Sequence, residues 1–270
     1  MFQWEYTREA LKTGLKLGDK LGVNPYKFGM IGSTDAHTSL AAVEEENFFG
    51  KHSGVEPEPH RWEHVVIEAP DPKFTIKGWQ QAAGGYAGVW AKENTREAIF
   101  DAMKRKESYA TTGSRIITRF FGGWDFTVQD AASRLPAGIG YEKGVPMGGD
   151  LRRAPAGKAP IFLAAAMKDA YSGNLDRIQI IKGWMNADGT TEERVYDVAV
   201  SDGRRIAANG RCKQVVGNTV DVANATYTND IGDSQLSVVW TDPDFEPEQH
   251  AVYDVRVLVI PTPRWSTYVA

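Results

Sequence analysis

The chain has 270 residues, of which 42% are apolar and 24% charged, and its formal net charge is −4. This is the composition of an ordinary globular protein of one or two domains, with no basic excess to mark a nucleic-acid partner. The single Cys212 excludes an intramolecular disulfide, and no apolar run approaches the ~18 residues of a membrane helix.

The opening residues 1–9 include acidic side chains and no apolar core, so they are not read as a signal peptide, which leaves the compartment unassigned. Residues 7–21 predict a helix, with Thr7 as N-cap and Ala10, Leu11, Gly14, Leu15, Leu17 and Leu21 on one face. Gly22 and Asn24-Pro25 stop it. A short apolar run, Phe28–Ser33, then predicts a buried strand that emerges at Thr34-Asp35-Ala36-His37. Two positions apart on a strand, Asp35 and His37 would project to one side. A carboxylate and an imidazole so placed either ligate a metal such as Zn or Mn, or simply hydrogen-bond to each other.

Residues 39–86 are irregular, with an acidic run at Glu44-Glu45-Glu46 and a stretch rich in Pro and His (Pro57, Pro59, His60, His64). A solvated surface excursion is the favoured reading, and a lid or further ligands the alternative, with His52 the first extra candidate. Gly84, Gly85 and Gly88 are placed to let backbone approach the site. Residues 94–106 predict a second helix, capped by Asn94 or Thr95, with Ala98, Ile99, Ala102 and Met103 inward.

From Ile116 the pattern becomes short strands and turns. Strands are expected at 116–127, 160–168, 176–184, 193–200, 218–227, 235–241 and 251–260, without helices among them. Asn186-Ala187-Asp188-Gly189 predicts a hairpin turn, and residues 136–160 a long connection. Seven such strands argue for a β-sandwich. Trp124, Trp184, Trp240 and Trp265 read as core or interface residues first and as a carbohydrate platform second. The run at 242–246 is a turn without EF-hand spacing. No G-x-S-x-G elbow, P-loop or G-x-G-x-x-G is present, so nucleophilic-serine and nucleotide chemistries lack support.

N-P-Y-K-F-G-M-I-G-S-T-D-A-H-T (24–38), G-V-W-A-K-E-N-T-R-E-A-I-F-D-A-M-K-R (88–105) and S-Y-A-T-T-G-S-R (108–115) form a recognisable set. With G-V-P-M-G-G-D-L (144–151), L-D-R-I-Q-I-I-K-G-W (175–184) and P-T-P-R-W-S-T-Y (261–268), they run nearly end to end. Together they resemble a family of large bacterial proteins similar to the PHP superfamily (polymerase and histidinol phosphatase), long catalogued as a domain of unknown function. The resemblance implies that residues 1–116 are the C-terminal part of a distorted β/α barrel, and the strand pattern makes residues 117–270 an antiparallel β-sandwich, an α/β plus all-β fold class in all. The resemblance also implies a metal-dependent hydrolase of a phosphate ester or related oxyacid ester, with Asp35 and His37 as ligands of a divalent Zn or Mn. Arg115, with Thr111, Thr112 and the backbone near Gly113, would receive the anionic substrate, although a surface Arg in a polar turn is the competing reading.

The departure from that pattern is the H-x-H strand with which PHP proteins open. The five His here, His37, His52, His60, His64 and His250, include no H-x-H. The chain is therefore expected to be part of a longer protein, inactive alone and weak at most in binding metal. Faces left open in the barrel remnant, residues 1–110, are expected to drive self-association. A non-catalytic binding or assembly module is the alternative.

Overall fold

The computed structural model describes residues 6–40, 42, 44–52, 58–81, 84–152 and 154–270. Pro57, one of the residues singled out above, lies outside the described residues. Helix α1 (Thr7–Leu21) has the predicted bounds, but Tyr6 rather than Thr7 is its N-cap and offers no side-chain hydrogen bond. Gly22 ends it at φ 73°, donating its N–H to Gly18 O at 2.9 Å, a left-handed cap that glycine adopts without a Cβ clash.

Short elements follow. Strands β1 (Val65–Ile67) and β2 (Ile76–Lys77) pair antiparallel, as do β3 (Ala87–Val89) and β4 (Ser108–Ala110). Between β3 and β4 lies α2 (Arg96–Lys104), capped by Thr95, whose Oγ1 accepts the Ala98 N–H at 3.3 Å. Of its four expected inward residues Ala102 is fully buried, whereas Met103 is exposed. The buried strand expected at Phe28–Ser33 forms no sheet ladder, and Phe28 and Ile31 are exposed; among the described residues these pieces form no closed barrel.

The second half is two packed antiparallel sheets. Its strands are β5 (Ile117–Gly123), β6 (Gly144–Pro146), β7 (Ile161–Met167), β8 (Leu175–Met185), β9 (Thr191–Val200), β12 (Gln235–Thr241) and β13 (Ala251–Val259). Residues 218–227, expected as one strand, are a separate small hairpin of β10 (Val220–Asp221) and β11 (Thr226–Tyr227). Asp221 Oδ1 accepts the Asn224 N–H at 3.2 Å and folds the turn between them. One sheet has the order β12-β7-β5-β6, the other β13-β8-β9. Alternate residues of each face meet in one core: Phe120, Phe162 and Ala164 from the first sheet, Ile178, Ile180, Tyr196 and Val198 from the second. Phe120 and Phe162 stack at 5.3 Å. The Asn186–Gly189 turn is where it was expected, with Asn186 N–H reaching Thr190 O at 2.8 Å.

The expected long connection over residues 136–160 begins with structure. Helices α3 (Val128–Ala131) and α4 (Pro136–Lys143) precede β6. A capping box explains the first: Thr127 N–H donates to Asp130 Oδ2 at 2.7 Å, and Lys143 Nζ returns to the same carboxylate at 2.8 Å. Pro136 opens the second. Helix α1 lies across the other face of the β13-β8-β9 sheet, where Lys12 packs on Gly183 and pairs with Glu9 at 2.5 Å and Glu193 at 3.3 Å. With α1 on one face and the other sheet on the opposite one, β8 is buried on both sides, Ile181 and Lys182 included. Helix α5 (Trp265–Val269) returns to the first half, where Trp265 packs on Phe48. No helix among the described residues is long and apolar enough to cross a membrane.

Candidate functional site

The run Phe28–Ser33 is positioned by glycines. A Cβ on Gly32 would lie 2.7 Å from the carbonyl oxygens of both Thr111 and Tyr86, and one on Gly85 only 2.0 Å from Thr111 O. Without those side chains, Gly85 N–H donates to Ser33 O at 2.8 Å and Thr111 N–H to Tyr86 O at 3.0 Å. Three backbone segments therefore converge just before Asp35.

At Asp35 the chain turns rather than continuing as a strand, with φ at 51°, a left-handed conformation that Asp tolerates better than most residues. The expected period-2 alternation is thus not what pairs Asp35 with His37. The turn brings them together instead, His37 Nε2 lying 3.6 Å from Asp35 Oδ1 with both side chains exposed. His37 N–H donates to Lys51 O at 2.7 Å, which sets His37 beside His52 in a parallel bridge. Their rings stack at 4.7 Å. Lys51 is buried, and its Nζ donates to Thr34 O at 2.9 Å and approaches Asp35 Oδ2 at 3.5 Å. His64 is elsewhere engaged, with Nε2 3.0 Å from Glu58 Oε2, and His60 N–H donates to the same carboxylate oxygen. Among the described residues, no three His, Cys, Asp or Glu side chains converge as a metal-holding group.

Arg115 occupies a different place. It lies on a cleft of about 1760 Å³ whose wall includes Tyr86, Glu44, Met30, Val257 and Tyr268, whereas Asp35 and His37 are not part of that wall. Its backbone N–H donates to Asp169 Oδ2 at 2.7 Å. Its guanidinium lies 5.1 Å from the Tyr86 ring centroid, donates to Tyr86 Oη at 3.1 Å and pairs with Glu44. Tyr86 and Glu44 push the guanidinium further above its ordinary range. The link between Arg115 and the Asp35 turn runs through the backbone of Gly85 and Tyr86.

The acidic run expected to be solvated is largely engaged. Glu44 takes Arg115 and Tyr86, while Glu45 accepts the Trp265 N–H at 2.6 Å and pairs with Arg264 at 3.3 Å. Burial pushes the Glu45 carboxyl up. Glu46 alone of the three is exposed. Glu44, Lys51 and Tyr86 are the residues that sequence reasoning missed, since nothing in local spacing marks a side chain whose partner is far along the chain.

The profile of the family described as “Protein of unknown function (DUF3604)” matches residues 1–270. No curated protein and no solved structure matches the chain.

Proposed function

We propose, for a chain that belongs to the DUF3604 family along its whole length, that it contributes to a PHP-like, metal-dependent hydrolase of phosphate or related oxyacid esters. In this reading residues 1–116 are part of a β/α barrel and residues 117–270 a β-sandwich domain. The observation that carries it is the exposed Asp35–His37 pair, 3.6 Å apart just after the Phe28–Ser33 run. Donors at that separation suit one divalent ion, because two ligands at ~2.1 Å in tetrahedral array lie ~3.4 Å apart. A carboxylate and an imidazole suit Zn or Mn in kind.

When bound, such an ion supplies Lewis-acid polarisation and lowers the pKa of the water it carries. Asp35 and His37 would hold it, with further donors from beyond this pair. Arg115 would orient the ester's anionic oxygens, its planar fork matching two of them at once. Two donors leave most of an ion's shell to water, so the chain alone is expected to be inactive and to bind metal weakly.

Calorimetric titration with Mn and Zn, together with hydrolysis of a panel of aryl phosphate and other oxyacid esters, tests this. Both belong in the longest open reading frame that contains this chain. Asp35→Ala and His37→Ala should each abolish metal-dependent turnover and leave the far-ultraviolet circular dichroism unchanged. An intact protein that binds neither metal would remove the reading.

The alternative is a non-catalytic assembly module. What favours it is the exposure of Leu21, Val23, Ile31, Val65, Phe74 and Trp79, large apolar groups concentrated in the first hundred residues. A clean monomer at high concentration in sedimentation would count against self-association through residues 1–110, which an open barrel remnant also predicts, so metal binding by the longest open reading frame is what separates the two readings.

A further inference from the structure

Each of the three residues singled out for the site meets a side chain from one short segment, residues 44–52. Glu44 sits on Arg115, Lys51 on Asp35, and His52 on His37. The signs are opposite wherever both partners are charged. We propose that this segment is a built-in surrogate for the site's ligands. The Glu44 carboxylate stands on Arg115 and Tyr86 where an oxyacid anion would bind, and the Lys51 ammonium stands on Thr34 O and Asp35 where a divalent cation would bind. The inference rests on the hydrolase reading above and deepens it into self-occupancy of the site.

The physical case is clearest at Lys51. Its side chain is 8% exposed, whereas that of Asp35 is 75% exposed. A buried ammonium is costly unless it is paired. Among the described residues its partners are the carbonyl just before the proposed ligand and the ligand's own carboxylate. A divalent ion placed on Asp35 would meet that ammonium at contact range, and a like charge within ~4–6 Å disfavours the newcomer. At Arg115 the same argument holds with the signs reversed, because an incoming oxyanion meets the Glu44 carboxylate already seated on the guanidinium.

The segment is fastened between its two charged ends. Phe48 is 3% exposed and packs on Trp265 at 5.2 Å. Arg61 donates to Phe48 O at 2.7 Å, and Glu45 accepts the Trp265 N–H. Rotation of two side chains, rather than movement of a loop, therefore frees both places.

The test uses the longest open reading frame that contains this chain, with Lys51→Met and Glu44→Gln, and two probes, Mn²⁺ and orthophosphate. Broadening of the His37 and His52 ring resonances reports the first, and the Arg115 side-chain N–H resonance the second. Lys51→Met should tighten Mn²⁺ binding by about tenfold or more and leave phosphate unchanged, the effect of removing one like charge at contact. Glu44→Gln should do the converse. Near-ultraviolet circular dichroism checks folding, and Lys51→Gln stands in if the methionine variant fails to fold. Affinities within about threefold of the parent, the scale of a screened surface contact, would overturn the inference. Asp35→Ala separates the two readings. If the parent binds Mn²⁺ tightly and loses it in Asp35→Ala while Lys51 variants gain nothing, the metal reading stands and self-occupancy falls. If no variant binds Mn²⁺ through Asp35, both fall.

Discussion

Replacing Asp242 with alanine strands a cation inside the protein. Asp242 follows β12, its side chain is 0% exposed, and its Oδ2 lies 2.8 Å from Lys182 Nζ, itself 2% exposed on β8. The same oxygen accepts the Tyr253 hydroxyl at 2.6 Å, and Oδ1 accepts the Asp244 N–H at 2.9 Å. Lys182 keeps one acceptor, Asp244 O at 2.6 Å, and a position 5.6 Å from the Trp184 ring centroid. Breaking a buried pair by removing one partner costs about 3–5 kcal/mol, mostly the penalty of the charge left behind. The loss of the Tyr253 acceptor adds to this but not independently, because both groups share one carboxylate. We expect Asp242→Ala to lower stability by about 4 kcal/mol, a large part of the ~5–15 kcal/mol typical of a domain. At about 2–4 °C per kcal/mol for a chain near this size, the midpoint falls by about 8–16 °C. Urea denaturation followed by tryptophan fluorescence measures it. The decisive comparison is Lys182→Met with Asp242→Asn, which removes both charges and should recover most of the loss. If Asp242→Ala lies within about 1 kcal/mol of the parent, the scale of an exposed ion pair, or if the double variant is the less stable, the reasoning is wrong.

Three further outcomes follow from other places in the fold. Burial raises the Tyr253 hydroxyl, as does the Asp242 carboxylate. Its folded value therefore exceeds the ordinary ~10, so its contribution is complete below pH ~10 and declines as pH rises above it; Tyr253→Phe should flatten the alkaline limb of a stability–pH profile. Although burial opposes it, Asp197 is held below the usual carboxylate range by hydrogen bonds from Gln179 at 2.6 Å and the Cys212 N–H at 2.7 Å, helped by Arg177 and Arg211. That contribution is present above pH ~4 and is lost as pH falls through the depressed value, so Asp197→Asn should make acid unfolding less steep. Gly88 faces Tyr109 across β3 and β4 so closely that a Cβ would sit 2.2 Å from the ring; Gly88→Ala should cost about 1–3 kcal/mol, and a smaller residue at Tyr109 should relieve it.

The two-sheet half was legible because alternation, β-branched composition and turn residues are local signals. Strands expected at 160–168, 235–241 and 251–260 fall within about a residue or two of β7, β12 and β13, the usual uncertainty of element ends. Helix α1 was equally legible from its spacing and its terminal glycine. The capping box at Thr127 and Asp130 was also present in the sequence, but its acceptor is Asp where Glu or Gln is usual, so the small helices before β6 went unread.

What only the tertiary structure decided was the company each charged residue keeps. From sequence, Asp35 and His37 were a pair, Arg115 a substrate clamp or a surface residue in a polar turn, and Glu44-Glu45-Glu46 a solvated run. The fold brings Glu44 to Arg115 across 71 positions and Trp265 to Glu45 across 220, and it buries Lys51 beneath the Asp35 turn. Local propensity depends on neighbours three or four residues away and so sets the elements. An ion pair between distant residues depends on how those elements pack, and on the desolvation that packing imposes. Neither quantity is written in the spacing of a few residues, which is why the two-sheet half of this protein could be read from its sequence and the electrostatics of its candidate site could not.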